Sequence, residues 1–139
     1  MTRDSGRPPP QLQDRGRGLA RLAFRAALAG VAALSLLPLP NTGGLDTLPG
    51  LDKLVHLLMY ASLTALALRA HPRRPRWQLA LALAAYGLAL EGVQGLLPAR
   101  TPSAADAVAN CMGISIMLFI VARQRDRRRA ESRTRIRTT

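Results

Sequence analysis

The sequence predicts an all-α membrane protein: a bundle of four transmembrane helices with both termini on the cytoplasmic side. Three observations predict it. Four apolar stretches, at about residues 19–37, 51–68, 77–97 and 104–121, come close to the roughly 20 residues that a spanning helix needs. The composition is 48% hydrophobic but only 4% aromatic, a Leu/Ala-rich balance that suits helices better than strands. The arginines flank the stretches at alternate ends: six precede Ala26, four lie within residues 69–76 and eight follow Ala122.

That distribution decides what the charge means. A net charge of +12 would suggest a nucleic-acid partner if the basic residues formed one stripe. Instead they bracket the apolar stretches, so nucleic acid is not expected as a partner. The mean hydropathy of +0.06 averages basic arms against apolar segments. The single Cys111 excludes an intramolecular disulfide and any multi-cysteine zinc site.

In chain order, residues 1–18 are expected to be a disordered basic tail. The first stretch, 19–37, spans if Arg21 and Arg25 snorkel toward the headgroups. A basic run followed by an apolar one also resembles a signal peptide, but no convincing small-x-small cleavage site precedes Pro38. The Leu39-Pro40-Asn41-Thr42-Gly43 run resembles a sortase sorting signal. Such signals lie near a C-terminus, so here it is expected to be a Pro/Asn/Gly turn. The second stretch, 51–68, is ended by Arg69, His71 and Pro72. The third, 77–97, opens on Trp77 as an interfacial anchor and closes at Pro98. The fourth, 104–121, gives way to an arginine-rich tail at 123–139, also expected to be disordered.

Loop charge sets the orientation. Both ends and residues 69–76 are basic, whereas residues 38–53 and 98–106 hold Lys53 and Arg100 against Asp46, Asp52 and Asp106. Basic loops stay cytoplasmic, so the acidic loops are expected to face outward. The polar residues Asp52, Lys53, His56, Glu91, Gln94, Arg100, Asp106 and Asn110 then all gather at or just beneath the outer surface. Ionisable groups are costly to keep within membrane spans, and several converging from different spans mark a candidate site.

Helical spacing places them on shared faces. Asp52, His56 and Tyr60 recur at i, i+4 and i+8; Glu91 and Gln94 are i, i+3 neighbours; Asp106, Asn110 and Gly113 share a third face. Each also has a structural role to weigh. Asp52 is expected to cap the second helix and Ser103 the fourth. Lys53 and Arg100 suit snorkelling, Gln94 and Asn110 suit hydrogen bonds between helices, and Tyr60, Cys111 and Gly113 suit packing. Glu91, about two turns inside its stretch, needs a partner, a proton or water, and resists a purely structural account.

Together, Asp52-Lys53-x-x-His56-x-x-x-Tyr60, Glu91-x-x-Gln94 and Arg100-x-x-Ser103-x-x-Asp106-x-x-x-Asn110-x-x-Gly113 resemble the VanZ-like family of small bacterial membrane proteins, over about residues 38–121. The resemblance implies a multi-pass protein of the bacterial cytoplasmic membrane, in a family named for a member linked to low-level teicoplanin resistance. It implies no settled reaction. Two functional classes follow. One is an envelope factor that binds or shields a cell-surface component, such as a lipid-linked wall precursor or a glycopeptide. The other is a membrane-embedded enzyme. In it His56 and Glu91 serve as base and acid, and Asp106 with Glu91 or Asp52 holds a divalent cation. Lys53 or Arg100 clamps a phosphate, and Gln94 and Asn110 assist binding. The lipid bilayer is the expected partner in both cases, with anionic lipid drawn to the arginine tails.

Overall fold

Leucine and alanine, both strong helix formers, carry four helices: α1 (Pro10–Leu36), α2 (Leu51–Ala70), α3 (Arg76–Gln94) and α4 (Ala104–Arg137). The computed structural model describes residues 10–36, 50–97 and 103–137, with side-chain surroundings for 15–36, 50–97 and 103–134. The expected turn at residues 39–43, Asp46 and Arg100 lie outside the described residues.

Side-chain bonds fix how the helices run. The Tyr86 hydroxyl donates to the Leu28 carbonyl at 2.6 Å and the Gln94 amide donates to the Ser35 carbonyl at 2.8 Å. The two bonds advance in the same sense along α1 and α3, so these helices are parallel. α2 runs against α1, with Arg21 Nε donating to the Ala70 carbonyl at 3.4 Å. α4 lies parallel to α2, pairing Lys53 with Asp106 and His56 with Asn110. The order is thus up, down, up, down, and α1 touches α2 and α3 but not α4 among the described residues.

The helix faces are sorted as a bilayer would sort them. Leu58, Leu81, Leu88, Met112 and Phe119 are each at least 50% exposed. The buried core is small, centred on Tyr60, Leu63, Ala67, Leu83 and Ile114. So much exposed leucine around so small a core marks a surface made to meet another apolar phase. α2 has 20 residues, about 30 Å at 1.5 Å per residue, the thickness of a hydrocarbon core. Three segments are long and apolar enough to cross a membrane: Arg15–Leu36, Leu51–Ala70 and Ala104–Thr134.

α3 is not among them. It has 19 residues and contains Arg76, Gln78, Glu91 and Gln94, which lower its apolarity. It also ends earlier than the apolar run suggests. Gly95 follows it, its N–H bonded to the Glu91 carbonyl at 3.0 Å, and Leu96 and Leu97 close a turn onto Val93 and Gln94.

The other helices outrun their apolar stretches. α1 begins at Pro10, a residue suited to a first helical turn, so residues 10–18 are helical where a disordered tail was expected. α4 continues through 123–137, also expected to be disordered. Hydropathy stops at Ala122, but arginine, alanine and glutamate keep a good helix propensity beyond it. Arg123 helps the passage, its guanidinium lying 5.1 Å from the Phe119 ring centre.

Two local expectations need correction. Gly50, not Asp52, precedes the first turn of α2; its φ of 85° is a left-handed conformation that favours glycine. Asp52 sits inside the first turn, where its charge still suits the positive helix end. Cys111 is exposed on the outer face of α4 rather than packed.

Candidate functional site

The α2 and α4 backbones come close because α4 has a glycine where they meet. A Cβ at Gly113 would overlap the Leu57 carbonyl and lie 3.0 Å from the Ala61 nitrogen. Bare backbone there lets the polar faces of the two helices meet one and two turns earlier in the chain.

Four side chains converge at that meeting. His56 Nδ1 and Asn110 Oδ1 are 3.1 Å apart; with the amide oxygen as acceptor, Nδ1 carries the proton and donates. Nε2 is then turned toward Asp106, 4.0 Å from its Oδ2, and Lys53 Nζ lies 3.8 Å from Asp106 Oδ1. Lys53 is shared, since its ammonium also donates to Asp52 Oδ2 at 2.6 Å. Asp106 Oδ1 is buried and accepts no hydrogen bond among the described residues; Lys53, at 3.8 Å, reaches it as a charge. A buried carboxylate oxygen without a donor is uncommon in folded proteins and needs an explanation.

Asn110 is the most deeply buried of the group, at 3% exposure. Its Nδ2 lies against Gly87 of α3 beside the Tyr60 hydroxyl: a Cβ built at Gly87 would sit 3.1 Å and 2.9 Å from them. Asn110 therefore joins the polar group to the close contact among α2, α3 and α4, which fixes the imidazole it bonds.

Glu91 takes a different place from the one its spacing suggested. It is buried, and its Oε2 accepts the Ser103 backbone N–H at 3.1 Å. The Ser103 hydroxyl in turn accepts the Asp106 N–H at 3.3 Å, the expected N-cap. The carboxylate thus sits at the positive end of α4, where the helix dipole favours an anion. No direct bond or ion pair joins Glu91 to His56 among the described residues. Gln94 is further removed, since its amide is spent on the Ser35 carbonyl of α1.

Of the expected site residues, Lys53, His56, Asp106 and Asn110 come together, with Asp52 at the rim. Glu91 and Ser103 buttress Asp106 from α3 and the α4 N-terminus, Gln94 ties α3 to α1, and Gly113 sets the α2–α4 distance. The partners missed in the sequence are main-chain groups, the Ser35 and Leu57 carbonyls and the Ser103 amide, which carry no residue-type signal. Among the described residues no group of three or more His, Cys, Asp or Glu side chains is placed to hold a metal ion.

Beside the cluster, an apolar crevice of about 550 Å³ opens between α2 and α4, with Lys53 at one end and Leu57, Val108 and Met112 along its walls. The Lys53 ammonium, which pairs with Asp106, thus also lines a slot fit for hydrocarbon. That arrangement can hold a polar group carried on a lipid chain, and a group bridging the 4.0 Å between His56 Nε2 and Asp106 Oδ2 could relay a proton between them. Comparison with family models, with curated proteins and with solved structures returns no match for this chain, so function rests on the residues and their geometry.

Proposed function

We propose that this is a VanZ-like protein of the bacterial cytoplasmic membrane, with four spans, cytoplasmic termini and the Lys53–His56–Asp106–Asn110 cluster facing outward. There it binds or shields a lipid-linked component of the cell envelope, or a glycopeptide that targets one. The observation that carries this reading is the buried Asp106 Oδ1. It is an acceptor with no donor among the described residues, 3.8 Å from the Lys53 ammonium, and Lys53 in turn lines the α2–α4 crevice. α3 serves as the fourth span despite its polar residues, because Glu91 and Gln94 are bonded within the bundle and 19 residues reach about 28 Å. The three bonds from α1 to α2 and α3 support its retention as a span rather than its loss as a signal peptide.

A second reading is favoured by one observation. His56 Nε2 faces Asp106 Oδ2 at 4.0 Å, as in an acid/base pair that a substrate could bridge, and this suits a membrane-embedded hydrolase or transferase. The test is complementation of a deletion strain under glycopeptide challenge by Asp106→Asn and His56→Asn, with membrane levels checked by immunoblot. Loss of protection at normal protein level supports the site. Full protection by both variants refutes it. Conversion of a purified lipid-linked precursor, abolished in the His56 variant, would select the enzyme.

A further inference from the structure

At the other end of the bundle, the basic end, α1, α2 and α3 leave a second crevice, of about 450 Å³. Its deeper walls are Phe24, Leu28 and Leu83; its mouth carries His71, Arg74 and Gln78. The mouth is built on a stiff turn. His71 N–H bonds to the Ala67 carbonyl at 2.9 Å, Arg74 N–H to the His71 carbonyl at 3.0 Å, and Pro72 and Pro75 restrict the backbone on either side. The His71 ring meets Phe24 edge-on, with centroids 5.7 Å apart.

The charge here is unbalanced. No Asp or Glu occurs in residues 15–36 or 67–86, the segments that form the crevice, while Arg21, Arg69, Arg73, Arg74 and Arg76 all fall within them. Arg21 is engaged with the Ala70 carbonyl; Arg74 is exposed and lines the mouth. A cationic mouth over an apolar slot matches a molecule with an anionic head and a hydrocarbon tail.

We propose that this crevice is a binding site for an anionic phospholipid, with the phosphate at Arg74, His71 and Gln78 and one acyl chain laid against Phe24, Leu28 and Leu83. Basic pockets between membrane helices take lipid headgroups in this way. The site depends on the helices being embedded in a bilayer, but not on what the Asp106 end does. It is also distinct from diffuse attraction of lipid to the arginines of α4.

The chain supplies its own probe, since Trp77 is the only tryptophan and lies between Arg74 and Gln78 in sequence. The full chain is reconstituted into phosphatidylcholine nanodiscs containing equal fractions of either brominated phosphatidylglycerol or brominated phosphatidylcholine, and Trp77 quenching is measured. Brominated phosphatidylglycerol should quench more strongly, with a preference of roughly fivefold for a basic group near the headgroup. Arg74→Gln should remove most of that preference. Ala82→Phe, which fills the crevice from an exposed position, should remove it without touching the charge. Arg127→Gln with Arg129→Gln, in the α4 extension, should leave it intact. Equal quenching by the two lipids, or a preference that survives both crevice variants, would overturn the site. Loss of the preference in the α4 variant would point to diffuse attraction instead. Displacement of the lipid by inorganic phosphate alone would show a soluble anion as the ligand, and would equally overturn it.

Discussion

Asp106 and Glu91 are both carboxylates at the start of α4, and their surroundings separate their roles. Glu91 accepts a main-chain N–H at the helix end, a task that an amide oxygen performs nearly as well, so Glu91→Gln should keep expression and protection close to normal. Asp106 instead lies between an ammonium and an imidazole, and its buried Oδ1 has no hydrogen-bond donor among the described residues. Asp106→Asn should therefore abolish protection at unchanged protein level. Growth under glycopeptide challenge, read alongside immunoblots, checks both; a failing Glu91→Gln with a working Asp106→Asn would reverse the assignment. The sequence showed that these carboxylates were unusual, through their depth and spacing. It could not show which was engaged, because the partner of Glu91 is a backbone N–H that any residue but proline at position 103 would provide.

Gln94 makes a similar point about amides. Its bond to the Ser35 carbonyl links α3 to α1 rather than reaching the cluster. Gln94→Leu should lower stability in detergent by about 0.6 kcal/mol, the average for a hydrogen bond between membrane helices, with the α2–α4 site unchanged. Thermal unfolding of the purified protein measures it; a loss of protection with no loss of stability would place Gln94 in the binding site.

Among elements, the α2–α4 contact controls the geometry of the site. Because a Cβ at position 113 meets main chain rather than a movable side chain, even Gly113→Ala forces the helices apart. It should cost about 1–3 kcal/mol, the usual range for overpacking, and Gly113→Leu more, with reduced membrane levels. Unchanged thermal stability of Gly113→Ala would contradict the contact. The shared faces of α2 and α4 were legible from i, i+4 and i, i+3 spacing, since both helices are regular through their polar positions. Helix ends were less legible. Asp52 carries a favoured capping side chain, yet the chain enters α2 through Gly50 in a left-handed turn that only backbone geometry reveals. The stop at Gln94 and the run of α4 to Arg137 likewise follow from backbone hydrogen bonding, to which an apolarity count is blind.

At the scale of the molecule, the alternation of helix direction puts the Lys53–Asp106 cluster at one end and the Arg74 crevice at the other. The bias of arginine toward the second end predicts which side is which. A cysteine introduced at Thr47 should label with an impermeant thiol reagent in intact cells, and one at Ser132 should not, both in a Cys111→Ser background. The opposite pattern would turn the cluster toward the cytoplasm. With wild-type Cys111, labelling should stay low although the thiol is on the protein surface, because in the proposed membrane protein that face of α4 would meet lipid rather than water.

The parallel pairing of α2 with α4 carries a consequence for how the chain is made. Helices adjacent in sequence can pair as each leaves the ribosome, but α2 and α4 are separated by the whole of α3. In the proposed membrane protein, Lys53 and His56 would therefore enter the bilayer before Asp106 and Asn110 have been synthesised, and Glu91 before the Ser103 N–H it accepts. For that interval His56 would lie in lipid without Asn110, and Lys53 with Asp52 alone, an expensive state. Synthesis of the last helix supplies the missing partners, so the site exists only once the whole bundle has been made.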